Sequence, residues 1–226
     1  MNKAISKKNL WQKPDYAEKY RENYSFPQKT LKKLLDKLKI SRLDRVLEFG
    51  CGDGVFMAAA AKKAAWVHGI DCSSSQLTKA GLRLKGLGNV SLEKKNFLDF
   101  SGGEGFTRGF SRKALHHLSD RDKKSFFKKI SPAFKPGSLF LIEDGIFFSF
   151  SRSMLKKKWS YLMKACEKYY GSEWEKKRKD VVYCFRHEYP TGLSQWRKAL
   201  AAGGFRIERI EKYSPFYGFI LARKDL

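Results

Sequence analysis

A short apolar strand that runs directly into closely spaced glycines constrains the fold of this chain most strongly. Residues 45–49 have the composition of a buried strand, and Gly50, Gly52 and Gly54 follow at once. An alanine-rich helix is predicted over residues 55–65. In an α/β sheet, ligands bind beyond the carboxyl ends of the parallel strands, where glycines admit them close to the backbone and a helix N-terminus offers N–H groups. The segment therefore predicts a ligand-binding loop in an α/β domain.

The spacing of these glycines excludes two common nucleotide-binding loops. The dinucleotide fingerprint G-x-G-x-x-G/A needs a small residue at its sixth position, which is Val55 when counted from Gly50. No G-x-x-x-x-G-K-[ST] motif occurs. Asp71 closes the next predicted strand, 17 residues after Gly54, and an acidic group there can accept hydrogen bonds from both hydroxyls of a ribose. The alternative is that Asp71 is only a surface residue of a turn.

Helices and strands alternate along the rest of the chain. Apolar residues at helical spacing predict a helix that begins at Pro27. Residues 205–213 and 216–223 alternate in polarity and predict a closing hairpin. The pattern predicts an α/β fold with a largely parallel sheet and an antiparallel end.

Composition and charge exclude several classes of protein. Hydrophobic residues make up 42% of the 226 residues, enough for a core, so the chain is not of the disordered class. The net charge of +24 favours an anionic partner, or else a generally basic soluble protein. The four cysteines lack metal-type spacing, and no apolar run approaches the ~18 residues that span a bilayer. We expect one cytoplasmic domain over residues 1–226, without a metal or a transmembrane segment.

Five motifs stand out along the chain: Glu48-Phe-Gly-Cys-Gly-Asp-Gly54, His68-Gly-Ile-Asp71, Leu115-His-His-Leu118, Phe134-Lys-Pro-Gly137 and Gly203-Gly-Phe205. Together they resemble the motifs of the class I S-adenosylmethionine-dependent methyltransferases of the small-molecule type. The resemblance implies a Rossmann-like, seven-stranded, mostly parallel sheet with an antiparallel last strand and helices on both faces. We expect residues 1–40 to form an N-terminal helical cap and residues 147–190 a helical lid insertion.

The resemblance also implies that S-adenosylmethionine is the cofactor. The three glycines would lie against its amino acid and ribose, and Glu48 would orient the loop or hold the amino group. Asp71 would bind the ribose hydroxyls, and Cys72 would lie beside the adenine. Two N-terminal tyrosines would cover the cofactor or, equally, pack in the core. The predicted cofactor-binding residues are Tyr16, Tyr20, Glu48, Gly50, Cys51, Gly52, Gly54, Asp71, Cys72, Gln76, Asn96, Phe97 and Ser111.

Two positions depart from the family pattern. Asn96 stands where an Asp often accepts from the adenine amino group; its side-chain oxygen can accept the same bond, and Asp99 is a substitute. The fourth strand reads Phe106-Thr-Arg-Gly-Phe-Ser111, and Arg108 and Gly109 fit a buried strand poorly. Either this strand is short or shifted, or the site is altered, which would suit a non-catalytic protein.

The predicted catalytic residues are His116 and His117, which follow the fourth strand. They would act as a base if the acceptor keeps a proton, or they only pack at the entry of a helix. Glu143 and Asp144, at the predicted end of the fifth strand, would hold a polar acceptor or form a turn. Signature motifs of exocyclic-amine and carbon-5 nucleic-acid methyltransferases, and of protein arginine methyltransferases, are absent.

We therefore predict an enzyme that transfers a methyl group to a small molecule. The first alternative, motivated by the charge, is methylation of RNA or another polyanion, with an anionic surface as partner. The second, motivated by the fourth strand, is a binding protein that keeps the fold without catalysis.

Overall fold

The computed structural model describes residues 26–225, which form two compact units divided after Phe100. Tyr16 and Tyr20 lie outside the described residues. The first unit contains α1 (Gln28–Leu38), β1 (Arg45–Phe49), α2 (Val55–Ala61), β2 (Trp66–Asp71), α3 (Ser74–Arg83) and β3 (Val90–Lys94). Strand β2 pairs in parallel with both β1 and β3. The carboxyl ends of all three strands therefore lie at the same edge.

Tight packing of α2 on β2 fixes the position of the loop that joins β1 to α2. A Cβ at Gly69 in β2 would lie 2.2 Å from Met57 Sδ, so only glycine admits the helix at this distance. Helix α2 ends at Ala61 rather than at the predicted Ala65. The reason is that the N–H of Ala65 donates to the carbonyl of Asp44 at 2.9 Å, which turns the chain toward β2.

The second unit contains the remaining strands and helices of the described chain. They are β4 (Phe106–Arg112), α4 (Asp120–Ile130), β5 (Phe134–Phe147), α5 (Trp159–Tyr170), α6 (Trp174–His187), β6 (Thr191–Gly192), α7 (Leu193–Ala202), β7 (Phe205–Ser214) and β8 (Tyr217–Lys224). Strands β4 and β5 are parallel, and β8 runs antiparallel to both β5 and β7. The two-residue β6 pairs with β5. The α/β class, the closing hairpin and the antiparallel last strand are confirmed.

The fourth strand runs over Phe106–Arg112 and is shifted in register, as one of the two alternatives expected, but it accommodates Arg108 and Gly109, which corrects the expectation that they fit it poorly. Arg108 is partly exposed, and its guanidinium donates to the carbonyl of Thr107 at 2.8 Å. A Cβ at Gly109 would lie 2.2 Å from Cδ2 of Phe140 on β5, so glycine is what allows that ring to pack over β4. The pairing of β4 with β5 shifts register between Phe106 and Arg108. Gly109 therefore makes room for the ring of Phe140, and the register shift before Arg108 is an irregularity of the β-bulge type.

Helices α5 and α6 fall within the predicted insertion at 147–190. Their buried residues share one apolar cluster with Phe147, Phe150 and Phe216. The helical members of this cluster are Leu162, Cys166, Trp174, Val181 and Phe185. The apolar side of the insertion therefore packs as core of the second unit. Among residues 26–225, no helix is long and apolar enough to cross a membrane.

Candidate functional site

Main-chain hydrogen bonds shape the glycine loop between β1 and α2. The N–H groups of Gly50 and Cys51 both donate to the carbonyl of Ile70, at 2.8 and 3.1 Å, and the N–H of Gly54 donates to the carbonyl of Cys51 at 2.9 Å. Gly50, Gly52 and Gly54 have φ values of 77°, 53° and 77°, a region that side chains disfavour. The three glycines are therefore required by the path of the loop.

The space beside Gly52 can accept a ligand. The nearest atom that a Cβ at Gly52 would meet is Oε1 of Gln76, at 3.8 Å, whereas a Cβ at Gly54 would meet Cβ of Ala80 at 3.2 Å. Gly54 thus permits close contact with α3, while Gly52 borders a cradle that a Cβ would fill. A polar ligand can reach the backbone at Gly52 with the amide oxygen of Gln76 beside it.

The carboxylate of Asp71 connects the end of β2 to this loop. Its Oδ2 accepts from the N–H of Gly52 and its Oδ1 from the N–H of Ser73, both at 2.9 Å. Burial raises the pKa of Asp71, and main-chain hydrogen bonds from Ser73, Gly52 and Cys72 offset that effect only in part. Each carboxylate oxygen carries a second lone pair. Because three of the four lone pairs accept from main-chain N–H groups, Asp71 can accept from a further hydroxyl group while it keeps these contacts.

Four other predicted residues lie along or next to the same loop. Glu48 is buried in β1 and pairs with Gly69 in the strand register. Cys51 is buried, and desolvation together with the charge of Glu48 raises the pKa of its thiol. Cys72 is half-buried directly after Asp71, and Gln76 is buried in the first turn of α3. The first unit thus brings these predicted residues to one edge of its strands.

Asn96 and Phe97 follow β3 at the same edge. The amide nitrogen of Asn96 donates to Oδ2 of Asp99 at 3.2 Å, which leaves the amide oxygen as the acceptor. Asn96 is exposed, so an amino group can reach that oxygen. Phe97 packs edge-on against Phe49 with their ring centroids 6.0 Å apart.

The second unit holds the remaining predicted residues, which differ in accessibility. Ser111 is fully buried in β4, opposite Ile142 of β5. His116 and His117 occupy a short turn after β4, with their ring centroids 4.3 Å apart. The side chain of His116 is 10% exposed and that of His117 is 26% exposed. An acceptor can therefore reach His117 more readily than His116.

His116 lies between two buried carboxylates. Its Nδ1 is 2.6 Å from Oδ1 of Asp144, its main-chain N–H donates to Oδ2 of the same residue at 3.1 Å, and its Nε2 is 3.3 Å from Oε2 of Glu188. Burial alone would lower the pKa of His116, but Asp144 and Glu188 raise it to about 9. Burial would likewise raise the pKa of Asp144, and His116 brings it below its usual value. Without a ligand, the cluster is a buried ion pair.

Glu143 and Asp144 lie inside β5 rather than at its end, which corrects the prediction. The ladder with β8 continues through them to Gly145, so β5 runs on to Phe147. Oε1 of the buried Glu143 accepts from the hydroxyl of Tyr217 and lies 3.4 Å from Nε of Arg112. Burial and the charge of Glu143 raise the pKa of Tyr217 well above its usual value.

The sequence did not single out Lys113 and Lys123, because the chain contains many other lysines. Lys113 adopts a left-handed backbone after β4, with its Nζ 5.4 Å from the ring centroid of Tyr217. Burial, and then Arg112, lower the pKa of Lys113 to about 7. Lys123 donates to the carbonyls of Leu118 and Tyr189, and burial lowers its pKa to about 8. Their burial depends on contacts distant in sequence.

Comparisons with known proteins agree with these motifs. Residues 46–137 match the model of a methyltransferase domain family. An uncharacterized methyltransferase of Schizosaccharomyces pombe is 31% identical over 135 residues, which cover 58% of this chain and 51% of that protein. The phosphoethanolamine N-methyltransferase of Plasmodium falciparum is 32% identical over 115 residues, which cover 50% of this chain and 43% of that protein. The chain thus spans about half the length of these relatives.

The fold is shared with a solved structure. Magnesium protoporphyrin IX methyltransferase from Synechocystis, solved with bound S-adenosylmethionine, has a TM-score of 0.64 at 15% identity, with 100% of both chains covered. This similarity confirms the Rossmann-like fold class. The resemblance to S-adenosylmethionine-dependent methyltransferases is borne out by the family match and the relatives.

Proposed function

We propose that this chain, whose residues 46–137 match the methyltransferase domain family, is an S-adenosylmethionine-dependent methyltransferase that acts on a small molecule. The observation that carries the proposal is the glycine loop, whose cradle at Gly52 lies beside the carboxylate of Asp71, which can accept from a hydroxyl. When bound, S-adenosylmethionine supplies a methyl group on a positively charged sulfur.

The residues of the first unit would hold the cofactor. Asp71 accepts from the ribose hydroxyls, the backbone at Gly52 lies against the ribose and amino acid, and Glu48 orients the loop or holds the amino group. Asn96 offers its amide oxygen to the adenine amino group, with Phe97 beside it. The open space beside Gly52, the exposed amide oxygen of Asn96 and the carboxylate of Asp71 support this assignment.

On the acceptor side, His117 is the favoured base. Methyl transfer is an in-line displacement in which the protein aligns the nucleophile and excludes water, and a base contributes where the nucleophile carries a proton. His117 is partly exposed, and Nδ1 of its ring lies 3.6 Å from Oε1 of Glu188, a carboxylate that can orient it. His116 would then position this turn rather than contact the acceptor.

Phosphoethanolamine is the first acceptor to test, since one relative is named for it and the net charge of +24 favours an anionic acceptor. The assay incubates the protein with methyl-labelled S-adenosylmethionine and a panel of phosphorylated and neutral amines, alcohols and thiols. We expect transfer to a low-molecular-weight product. Absence of transfer to every acceptor, in a protein that binds S-adenosylhomocysteine, would refute the small-molecule proposal as stated.

A matched pair of variants tests the role of His117. Loss of a general base costs about 10²–10⁴-fold in rate, so His117→Asn is expected to lower kcat by at least ~100-fold. His187→Asn changes an exposed histidine at the end of α6 and should leave the rate unchanged. Equal rates for both variants would remove His117 from the mechanism.

The net charge also favours a second candidate, methylation of RNA. Labelled methyl groups would then enter RNA, and binding would weaken steeply with salt because each neutralised phosphate releases counterions. Incorporation into RNA without a small-molecule product would replace the first proposal by this one.

A further inference from the structure

His116, Cys184 and Glu188 bring three different donor atoms to one place in the second unit. One ligand atom from each residue lies within 4.8 Å of the other two. His116 and Glu188 are buried and Cys184 is half-buried, so water competes weakly for these donors. His116 follows β4, whereas Cys184 and Glu188 come from α6 and the residue after it. Because about 70 residues separate the two segments, the linear spacing of the cysteines did not reveal the cluster.

The distances fit the coordination shell of a small divalent cation. Metal–ligand distances of about 2.0–2.2 Å for imidazole nitrogen and carboxylate oxygen place two tetrahedral ligands about 3.3–3.6 Å apart. Nε2 of His116 and Oε2 of Glu188 are 3.3 Å apart. The Sγ of Cys184 lies within 4.8 Å of one ligand atom of His116 and of one ligand atom of Glu188, so a side-chain movement of about 1 Å completes the shell.

The surroundings of His116 are those of a metal-ligating histidine. Its Nδ1 is held by Asp144 at 2.6 Å, which leaves the other nitrogen, Nε2, on the side of Glu188. Histidine ligands almost always donate their second nitrogen to a carboxylate or carbonyl in this way. Asp144 is itself fixed by the N–H of Gly145 at 2.6 Å. The imidazole is therefore already oriented for coordination.

Charge and chemistry select the class of ion. A thiolate, an imidazole and a carboxylate together suit borderline ions such as zinc and disfavour magnesium and calcium, which prefer oxygen ligands. With His116 neutral, Asp144, Glu188 and the Cys184 thiolate carry three negative charges. Asp120, which acts on the same cations, adds a fourth negative charge. Lys123 and Arg152 supply two positive charges, and a divalent cation balances the remaining two.

We propose that His116, Cys184 and Glu188 form a binding site for a zinc-type divalent cation, with Asp144 as the residue that orients the histidine. Binding displaces two protons to solvent: the proton between Nε2 of His116 and Glu188, and the thiol proton of Cys184. Three protein ligands leave a fourth position for water or for a heteroatom of a small molecule. The site lies on the carboxyl-end side of β4 and β5, and its existence does not depend on the proposed activity.

The test measures metal binding to the full, tag-free and reduced chain. Zinc stoichiometry is determined by mass spectrometry after dialysis, and zinc affinity by competition with a chromophoric chelator. We expect about one zinc per chain, since one such set of ligands lies among residues 26–225. Cobalt in place of zinc should give a thiolate-to-cobalt charge-transfer band in the near ultraviolet. Absence of zinc and cobalt binding by the wild type would overturn the site and leave the cluster a buried ion pair.

Two cysteine variants locate the site. Cys184→Ala should abolish the charge-transfer band and weaken zinc binding by at least tenfold, which is the lower end of the loss for disturbing even an outer-shell group. Cys166→Ala removes a buried thiol of the apolar cluster and should change neither measurement. Glu188→Gln should weaken zinc binding and keep the charge-transfer band. Unchanged zinc binding by Cys184→Ala, in a variant with native circular dichroism, would overturn the assignment.

Discussion

Replacement of Gly109 by alanine tests whether the unusual fourth strand is built around a packed ring. The added Cβ would lie 2.2, 2.6 and 2.8 Å from Cδ2, Cε2 and Cγ of Phe140, whereas carbon atoms in contact prefer about 3.5–4.0 Å. Phe140 is fully buried, and its ring centroid lies 5.6 Å from those of Phe127 and Phe134 and 6.0 Å from that of Phe205. The ring therefore cannot retreat without displacing its neighbours.

Overpacking of this kind costs about 1–3 kcal/mol, and alanine recovers about 0.5–1 kcal/mol relative to glycine in a strand. Because the overlap is severe, we expect Gly109→Ala to lower the free energy of unfolding by about 2 kcal/mol and Tm by about 4–8 °C. Urea and thermal denaturation followed by circular dichroism measure both quantities. Gly81→Ala is the control, because a Cβ there meets no atom within 4 Å, and it should raise stability by about 0.5–1 kcal/mol.

A double-mutant cycle with Phe140→Leu attributes the effect to this contact. The Leu variant alone should lose on the order of 1–2 kcal/mol, as large-to-small core changes do. Because leucine is smaller than phenylalanine, Gly109→Ala should be tolerated in the Phe140→Leu background. The double variant should therefore be more stable than the sum of the two single losses predicts, by about 1 kcal/mol or more. An alanine variant as stable as the wild type, or strictly additive costs, would refute the reasoning.

Three further changes have expected outcomes. Lys113→Met should stabilise the protein by on the order of 1–3 kcal/mol below pH 7. In the wild type, Lys113 has a pKa of about 7 when folded and 10.5 when unfolded, so below pH 7 the folded protein bears the cost of a desolvated charge that methionine removes. This gain should shrink as the pH rises from 7 to 10.5, and a pH-independent gain in urea titrations would contradict it. Ser119→Ala should cost about 1 kcal/mol, since the Ser119 hydroxyl caps α4 by accepting from the N–H of Asp122 at 3.1 Å; an unchanged Tm would count against this. Gly52→Ala should cost about 1–2 kcal/mol of stability, because residue 52 has a left-handed backbone. The added Cβ should also weaken S-adenosylhomocysteine binding to the folded variant, measured by calorimetry, and unchanged affinity would argue against the cradle.

The sequence predicted the elements whose signals are local. The strand, glycine loop and helix at 45–61, the closing hairpin and the acidic end of β2 follow from periodicity and turn chemistry over a few residues. The positions that it misread depend on distant partners. From the sequence Gly109 looks unsuited to a buried strand, but the ring of Phe140 packs where a side chain at residue 109 would lie.

The buried cluster in the second unit illustrates the same limit. His116 pairs with Asp144 and Glu188, 28 and 72 residues further along the chain, and no local pattern encodes such a contact. The burial of Lys113 and Lys123, and the extension of β5 through Glu143, likewise follow from how separate strands and helices pack.

The binding of S-adenosylhomocysteine to the wild type and to Asp71→Asn, measured by calorimetry, tests the central claim most directly. An asparagine cannot accept at both positions, so it leaves either the N–H of Gly52 or that of Ser73 without its partner, and it weakens acceptance from the ribose. We expect wild-type binding in the micromolar range and a loss of at least about tenfold in the variant, the effect of 1.4 kcal/mol.

Asp53→Asn is the matched control in the same loop, because Nη2 of Arg83 lies 2.8 Å from Oδ2 of Asp53 and holds that carboxylate. Its affinity should stay within about fivefold, since partly exposed ion pairs contribute roughly 0–1 kcal/mol. Equal affinity for the wild type and Asp71→Asn, or no binding by the wild type, would contradict the account of the cofactor site.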